Sequence, residues 1–433
     1  MNNTELAIQF FLQIAVILAA CRLVGVIAAK FGQPQVVAEM IAGVLLGPSL
    51  FGLVAPEIQQ WVFPWDSTQT ARDSQSYLFP ASQLGLALYM FIVGMEFRID
   101  VVKTHAKSSI AVSIAGMAVP FILGAGLAVF LYHRTDLFPE KTTRNEAMLF
   151  LGASMCITAF PMLARIIHHK GLAGTLMGTV ALGAGAVDDV TAWCLLAVVL
   201  ASFDDNASRA IYSIGGGVAF VTVAIFVIGP LLHRLRHRLL DASGKLNDIG
   251  LTVGLGCMAL GAWFTDLIHL HAVFGAFVIG AMIPRGPIAR GLCTKIQPLA
   301  VSLLLPLFFT YSGLNTKIGL LNSWYLVGMC LLVLLAAVVG KGVACTVAAK
   351  MSGLTMRESL GIGTLMNARG LMELIIINIG LQRGIISEGL FASLVIMAIV
   401  TTLMASPIFD LVIGNQASQA NHLDDETTPT ITS

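Results

Sequence analysis

Asp188 and Asp189 stand side by side in the stretch Leu172 to Phe203, which is otherwise almost free of charge and long enough to cross a bilayer. A carboxylate at that depth costs roughly 2.5–3.5 kcal/mol even on lenient insertion scales, so two adjacent acids mark a path for cations or protons. Neighbours on a helix point about 100° apart, so the two acids cannot serve one partner equally. One can meet another helix while the other faces a cavity. A carboxylate, the Thr158 hydroxyl and main-chain carbonyls freed between Thr158 and Pro161 would form the hard oxygen set that an alkali cation takes.

Lys341 lies mid-way along a second apolar run, in AAVVGKGVACTV, about ten residues from its end. Snorkelling to the interface is open to Lys350 but hard for Lys341, which must pair with a carboxylate or lose its proton. Paired with Asp188, it forms a charge pair that breaks when the aspartate takes a proton.

These residues need elements to hold them, and composition says which. The 433 residues are 57% hydrophobic and 11% charged, against roughly 25% charged in soluble domains. Mean hydropathy is +0.85. The chain reads as an all-α polytopic membrane protein, with no basic run for nucleic acid. Apolar runs fall at about 7–28, 35–54, 81–98, 109–132, 147–167, 172–203, 210–232, 248–268, 271–285, 297–314, 324–349, 358–382 and 388–413, which makes about thirteen transmembrane helices. With the N-terminus outside, the inner connections carry fourteen Lys and Arg and the outer ones seven. The C-terminus is then cytoplasmic, and the polar tail 414–433 is expected to be disordered. Met1 to Glu5 lacks a signal peptide's basic start, so the first run is retained. Six of the seven cysteines lie in apolar segments as small core residues; Cys293 reads as an ordinary exposed thiol.

Two of the runs carry helix breakers at mid-membrane. LGASMCITAFPMLARII (151–167) and LGIGTLMNARGLMELII (360–376) open and close alike, with a polar residue at the eighth place (Thr158, Asn367) and a breaker at the eleventh (Pro161, Gly370). They are the fifth and twelfth runs. They therefore hold equivalent places in inverted repeats of six, about 7–203 and 248–413, joined by a linking helix at about 210–232. Paired breaks in inverted repeats point to a transporter's midplane site, because broken backbone at that depth needs protein or a wet cavity to satisfy it. A simple proline kink is the alternative for Pro161.

Arg369 and Glu373, spaced i, i+4, read as neutralising each other across the second break. Glu39 lies in the second run, and Glu96 reads as interfacial beside Arg98 and Asp100. Asp266, His269 and His271 fall at an outer turn, and Asp204 and Asp205 in a solvated outer loop.

In order along the chain, QPQVVAEMIAGVLLGPS (33–49), LGLALYMFIVGMEF (84–97), ITAFPMLARII (157–167), AVDDV (186–190), HAVFGAFVIGAMIPR (271–285), LLPLFFTYSGLNT (304–316), GKGVACTVAAKMSGLTMRESLGIGTLMNARGLMEL (340–374) and VTTLMASP (400–407) resemble the monovalent cation/proton antiporters, specifically the Kef-type and sodium/proton exchanger branch, over nearly all of residues 1–413. The resemblance implies two crossed broken helices in a mobile core domain, a separate dimerisation domain and an elevator-like movement. It also implies a homodimer in a plasma or bacterial inner membrane, with a part in pH homeostasis. It assigns alternate binding of cation and proton to Asp189, pairing with Lys341 to Asp188, and a lining role to Thr158, with Asp189 and Thr158 as the monovalent cation ligands. No cofactor is implied beyond the transported Na+ or K+ and H+. The nucleotide-binding domain of Kef-type systems has no counterpart among the twenty or so residues after the last run. Rival readings are a channel-like potassium efflux system without obligatory exchange, a sensor, and an intramembrane aspartyl protease. The protease needs its aspartates on different helices, so no enzyme is expected.

Overall fold

The computed structural model describes residues 3–31, 33, 35–64, 69–96, 105–132, 137–172, 175–202, 207–268, 270–317, 319 and 324–414. The tail from Asn415, the pair Asp204 and Asp205, and Arg98, Asp100 and His269 lie outside them. In chain order the α-helices are α1 (Asn3–Lys30), α2 (Gln35–Leu46), α3 (Phe51–Val54), α4 (Pro56–Val62), α5 (Gln69–Glu96), α6 (Ala106–Tyr132), α7 (Arg144–Cys156), α8 (Phe160–His169), α9 (Leu176–Ser202), α10 (Ala207–Val223), α11 (Gly229–Arg234), α12 (Asp248–Leu267), α13 (Ala272–Met282), α14 (Pro287–Leu299), α15 (Leu305–Leu314), α16 (Trp324–Met351), α17 (Met356–Leu365), α18 (Leu371–Gln382) and α19 (Glu388–Ile413). The π segments Ala224–Ile228 and Ala300–Leu304 join α10 to α11 and α14 to α15. Among the described residues there is no strand, only an isolated bridge between Leu240 and Leu246. Nine helices among them are long and apolar enough to cross a membrane, and Ala272–Met282 is a shorter apolar helix. The protein is a multi-pass, all-helical membrane protein.

Helix α5 begins at Gln69 rather than near residue 81. Hydropathy marks where a helix is apolar, not where its hydrogen-bonded ladder starts.

The chain forms two compact units, each drawn from both halves of the sequence. One gathers Met1–Ile27, Ala38–Phe97 and Leu195–Lys317; the other gathers Ala28–Val37, Arg98–Cys194 and Ile318–Ser433. In the first, helices meet through glycines. A Cβ on Gly313 would lie 2.0 Å from the Gly43 carbonyl oxygen, and one on Gly280 would lie 2.2 Å from that of Phe91. Within a bilayer no hydrophobic force draws helices together, so close backbone approach through small residues supplies the attraction. The glycines of four of the motifs quoted above are therefore packing residues: Gly43, Gly94, Gly280 and Gly313. In this unit Glu39 is buried, 2% exposed, whereas Glu96 is exposed at the end of α5. His271, half-buried, caps α13 by accepting from the Val273 N–H at 3.5 Å, and Asp266 accepts from the Ala272 N–H at 2.9 Å.

The second unit holds both interrupted helices. Each begins with the same reciprocal cap, Thr143 with Glu146 before α7 and Thr355 with Glu358 before α17, and these T-x-x-E signals are legible in the sequence. Helix α7 stops at Cys156, where Ile157 turns extended (φ −74°, ψ 140°), and the helix resumes at Phe160 with Pro161 second. Proline has no N–H and disfavours helical backbone in the residue before it, so it suits a first turn and not an interior. Helix α17 stops at Leu365, and α18 resumes after Gly370. The two breaks meet: the Ala159 N–H donates to the Ala368 carbonyl at 3.2 Å, and a Cβ on Gly370 would lie 3.0 Å from Met162 Cγ and 3.3 Å from Ala159 Cβ. A glycine is needed there for closeness, since its backbone is extended.

Candidate functional site

Asp188 is fully buried and fully engaged. One carboxylate oxygen accepts from the Ser113 hydroxyl at 2.6 Å; the other accepts from Thr158 at 2.5 Å and lies 3.4 Å from Lys341 Nζ. The hydroxyl of Thr158, which the resemblance places with Asp189 as a cation ligand, gives its proton to Asp188 and keeps its lone pairs. Helical geometry separates the two acids: α9 turns Asp188 toward α6, the first break and α16, and points its neighbour elsewhere.

Asp189 is equally buried, yet neither of its oxygens accepts a hydrogen bond from a described side chain. The Phe160 N–H, at the positive N-terminal end of α8, is the backbone donor that faces it. Of the two carboxylates, Asp189 alone keeps its lone pairs unassigned to a described side chain.

The first break exposes the carbonyls that end α7, and buried cations take them up. Lys341 Nζ donates to Cys156 O, and the Arg369 guanidinium donates to Met155 O at 2.6 Å and to Ser154 O at 3.2 Å. Unsatisfied carbonyls in a bilayer cost several kcal/mol each, so two side chains from elsewhere in the unit replace the helix's own missing donors. Arg369 also pairs with Glu373 at 3.1 Å, both side chains at most 1% exposed. Mutual neutralisation is therefore only part of its work. Arg369→Met strands Glu373 and two carbonyls at once. It should destabilise the protein by about 3–5 kcal/mol, as removal of one partner from a buried pair does, read as a fall in the melting temperature of purified protein.

Asn367 lies in the second break, 8% exposed, and donates to the Gly363 carbonyl at 3.1 Å. It packs on the glycine beside Lys341, where a Cβ on Gly342 would lie 2.8 Å from Asn367 Nδ2. Pro161 sits in the first turn of α8, and Gly370 forms the contact between the breaks. One unit therefore brings together Asp188, Asp189, Thr158, Lys341, Asn367, Arg369, Gly370 and Glu373. Sequence reasoning missed Ser113, because nothing in the α6 sequence distinguishes it from Ser109, whose hydroxyl is given to the Val180 carbonyl at 3.3 Å. It also missed the α7 carbonyls, which no side-chain pattern can report. Among the described residues no group of three or more His, Cys, Asp or Glu converges as a multivalent metal site would require.

Touching helix interruptions, main chain capped by buried cations and a buried carboxylate with no side-chain donor among the described residues define a polytopic membrane protein of the ion-transporter class. Comparison with known proteins gives the family. Residues 14–412 match the sodium/hydrogen exchanger transmembrane family, and the chain belongs to it. It is 38% identical to the sodium/proton antiporter NhaS4 of a Synechocystis species, over 94% of this chain and 97% of that one. It is 32% identical to potassium/proton antiporter 1 of Saccharomyces cerevisiae, covering 95% of this chain but 47% of the yeast protein. The chain likewise spans about half the length of the Arabidopsis thaliana cation/proton antiporters it matches. The structure of the sodium proton antiporter MjNhaP1 from Methanocaldococcus jannaschii superposes with a TM-score of 0.63 at 14% identity, covering 96% of this chain and 98% of that one, a likeness of fold.

Proposed function

We propose that the protein is a secondary antiporter that exchanges a monovalent cation, Na+ or K+, for protons by competition at Asp189. The observation that carries this reading is the asymmetry of the acidic pair. Asp188 is saturated by Ser113, Thr158 and Lys341, whereas Asp189 is buried with no hydrogen-bond donor from a described side chain. A deprotonated carboxylate in that state is satisfied by a cation, a protonated one by its proton, and an empty charged one is the costly state to move through a membrane. Only loaded or neutralised sites should cross, which is what obligatory exchange needs.

In this reading the unit containing the two breaks is the mobile core, and access alternates by an elevator-like movement. The chain crosses the membrane thirteen times as two inverted repeats of six and a linking helix, with the N-terminus outside and the C-terminus inside, and forms a homodimer. Names of relatives support cation/proton exchange; they include both sodium and potassium proteins, among them a sodium/proton-potassium antiporter from Bacillus cereus at 27% identity over 97% of its length.

Competition has a quantitative signature. Where the free site is mostly protonated, each unit of pH lost should raise the cation concentration for half-maximal exchange about tenfold, since one proton must leave for one cation to bind. Where it is mostly deprotonated the value should level off. Dequenching titrations with Na+, Li+ and K+ across pH in proteoliposomes measure this. A half-saturating concentration independent of pH, or cation flux with no proton counter-flow, rejects the mechanism; the latter is the channel-like outcome.

A further inference from the structure

Thr402 lies in α19, 1% exposed, with no charged residue beside it in sequence. Its hydroxyl oxygen accepts from the Arg369 N–H at 3.2 Å. The same oxygen lies 2.6 Å from the Arg369 carbonyl and 2.7 Å from the Ala398 carbonyl of its own helix. A hydroxyl carries one proton and two lone pairs. It can therefore hold the Arg369 N–H throughout, but can give its proton to only one of those carbonyls at a time.

Its neighbour Thr401 shows what a buried helical threonine does otherwise. Thr401 is also 1% exposed, and its hydroxyl reaches the carbonyls of Met397 at 2.8 Å and Ala398 at 3.1 Å, both within α19. Such back-bonding within a helix is the ordinary habit of the residue. Thr402 differs in replacing both main-chain partners that Arg369 lost when the helix broke.

We propose that Thr402 is a positioning residue for ion exchange, a hydroxyl latch that fixes the main chain of the second break at Arg369 and, through it, the aspartate site. The connection is continuous within one unit. Arg369 carries the guanidinium that holds the Ser154 and Met155 carbonyls at the end of α7, and the preceding Ala368 carbonyl holds the Ala159 N–H. Between those two anchors lies Thr158, whose hydroxyl is on Asp188, and just beyond them is the Phe160 N–H that faces Asp189. The alternative acceptor at Ala398 gives the latch a released state, in which the Arg369 carbonyl loses its donor while the threonine does not.

The transport arm of the test rests on the exchange reading above; the main-chain arm does not. Full-length Thr402→Val, Thr402→Ser and Thr401→Val proteins are compared in proteoliposomes and by deuterium uptake of peptides covering residues 366–370. Thr402→Val should need about tenfold more cation for half-maximal exchange, the worth of a buried hydrogen-bonding group, with a smaller change in maximal rate. Its break amides should exchange about tenfold faster by the same reasoning. Thr402→Ser should restore both values, and Thr401→Val should match the unaltered protein in both. Thr402→Ala carries the same comparison if the valine protein is not recovered. Deuterium uptake of Thr402→Val equal to that of Thr401→Val, or failure of serine to restore it, overturns the latch. If the unaltered protein itself moves no protons on adding cation, the exchange reading fails, and the deuterium comparison still decides the latch.

Discussion

Asp189→Asn protein reconstituted into liposomes should move no protons when sodium or potassium is added, matching protein-free vesicles at every pH. The substitution keeps volume and one carbonyl oxygen but removes the charge and the exchangeable proton together. Neither Asp189 oxygen accepts a hydrogen bond from a described side chain, so no side-chain hydrogen bond is lost with it. Replacing a buried carboxylate that has no side-chain donor among the described residues by a neutral amide should leave the melting temperature unchanged or higher. Loss of transport without loss of stability is the expected combination, and it separates a binding group from a structural one. Retained cation-dependent proton movement in the Asp189→Asn protein would remove Asp189 from the mechanism.

Asp188 and Lys341 should behave in the opposite way. Lys341→Met leaves the Asp188 carboxylate buried with only the Ser113 and Thr158 hydroxyls, and it uncaps the Cys156 carbonyl that ends α7. Both side chains are fully buried, so the loss should be about 3–5 kcal/mol, as for other buried pairs stripped of one partner. Asp188→Asn strands the lysine cation and should cost a similar amount. In the double substitution neither charge remains, and the loss should fall short of the sum of the single losses by about 1–3 kcal/mol. Some deficit will persist, because the Cys156 carbonyl is still uncapped. The check is a double-mutant cycle on melting temperatures of purified protein; strict additivity would mean that the ion pair and its shared hydrogen bonds are not a unit.

Much of this site is legible in the amino-acid sequence. Charges that are tolerable at a soluble surface are costly at membrane depth, so Asp188, Asp189, Lys341, Arg369 and Glu373 stood out by type and position alone. Pro161 and Gly370 were equally visible, because each disrupts a helix for a local reason: a missing N–H and a missing side chain. Spacing along the chain does not say which carboxylate the Thr158 hydroxyl meets; its proton goes to Asp188, and its oxygen keeps its lone pairs. Arg369 was legible as half of an i, i+4 pair, but its guanidinium does more in capping α7. That partner is main chain, and main chain has no sequence signature.

The sequence by itself determined that this is a multi-pass helical membrane protein with two interrupted segments and a small set of buried charges. Hydropathy, helix breakers and desolvation cost act locally, residue by residue along the chain. Only the tertiary structure decided how those charges are shared. Contact between the breaks, close approach through Gly342 and Gly370, and the 100° turn between neighbours on α9 gave Asp188 three side-chain donors and left Asp189 with no side-chain donor among the described residues. Such an allocation depends on which oxygen lies within about 3 Å of which donor, a distance set by packing between segments far apart in sequence.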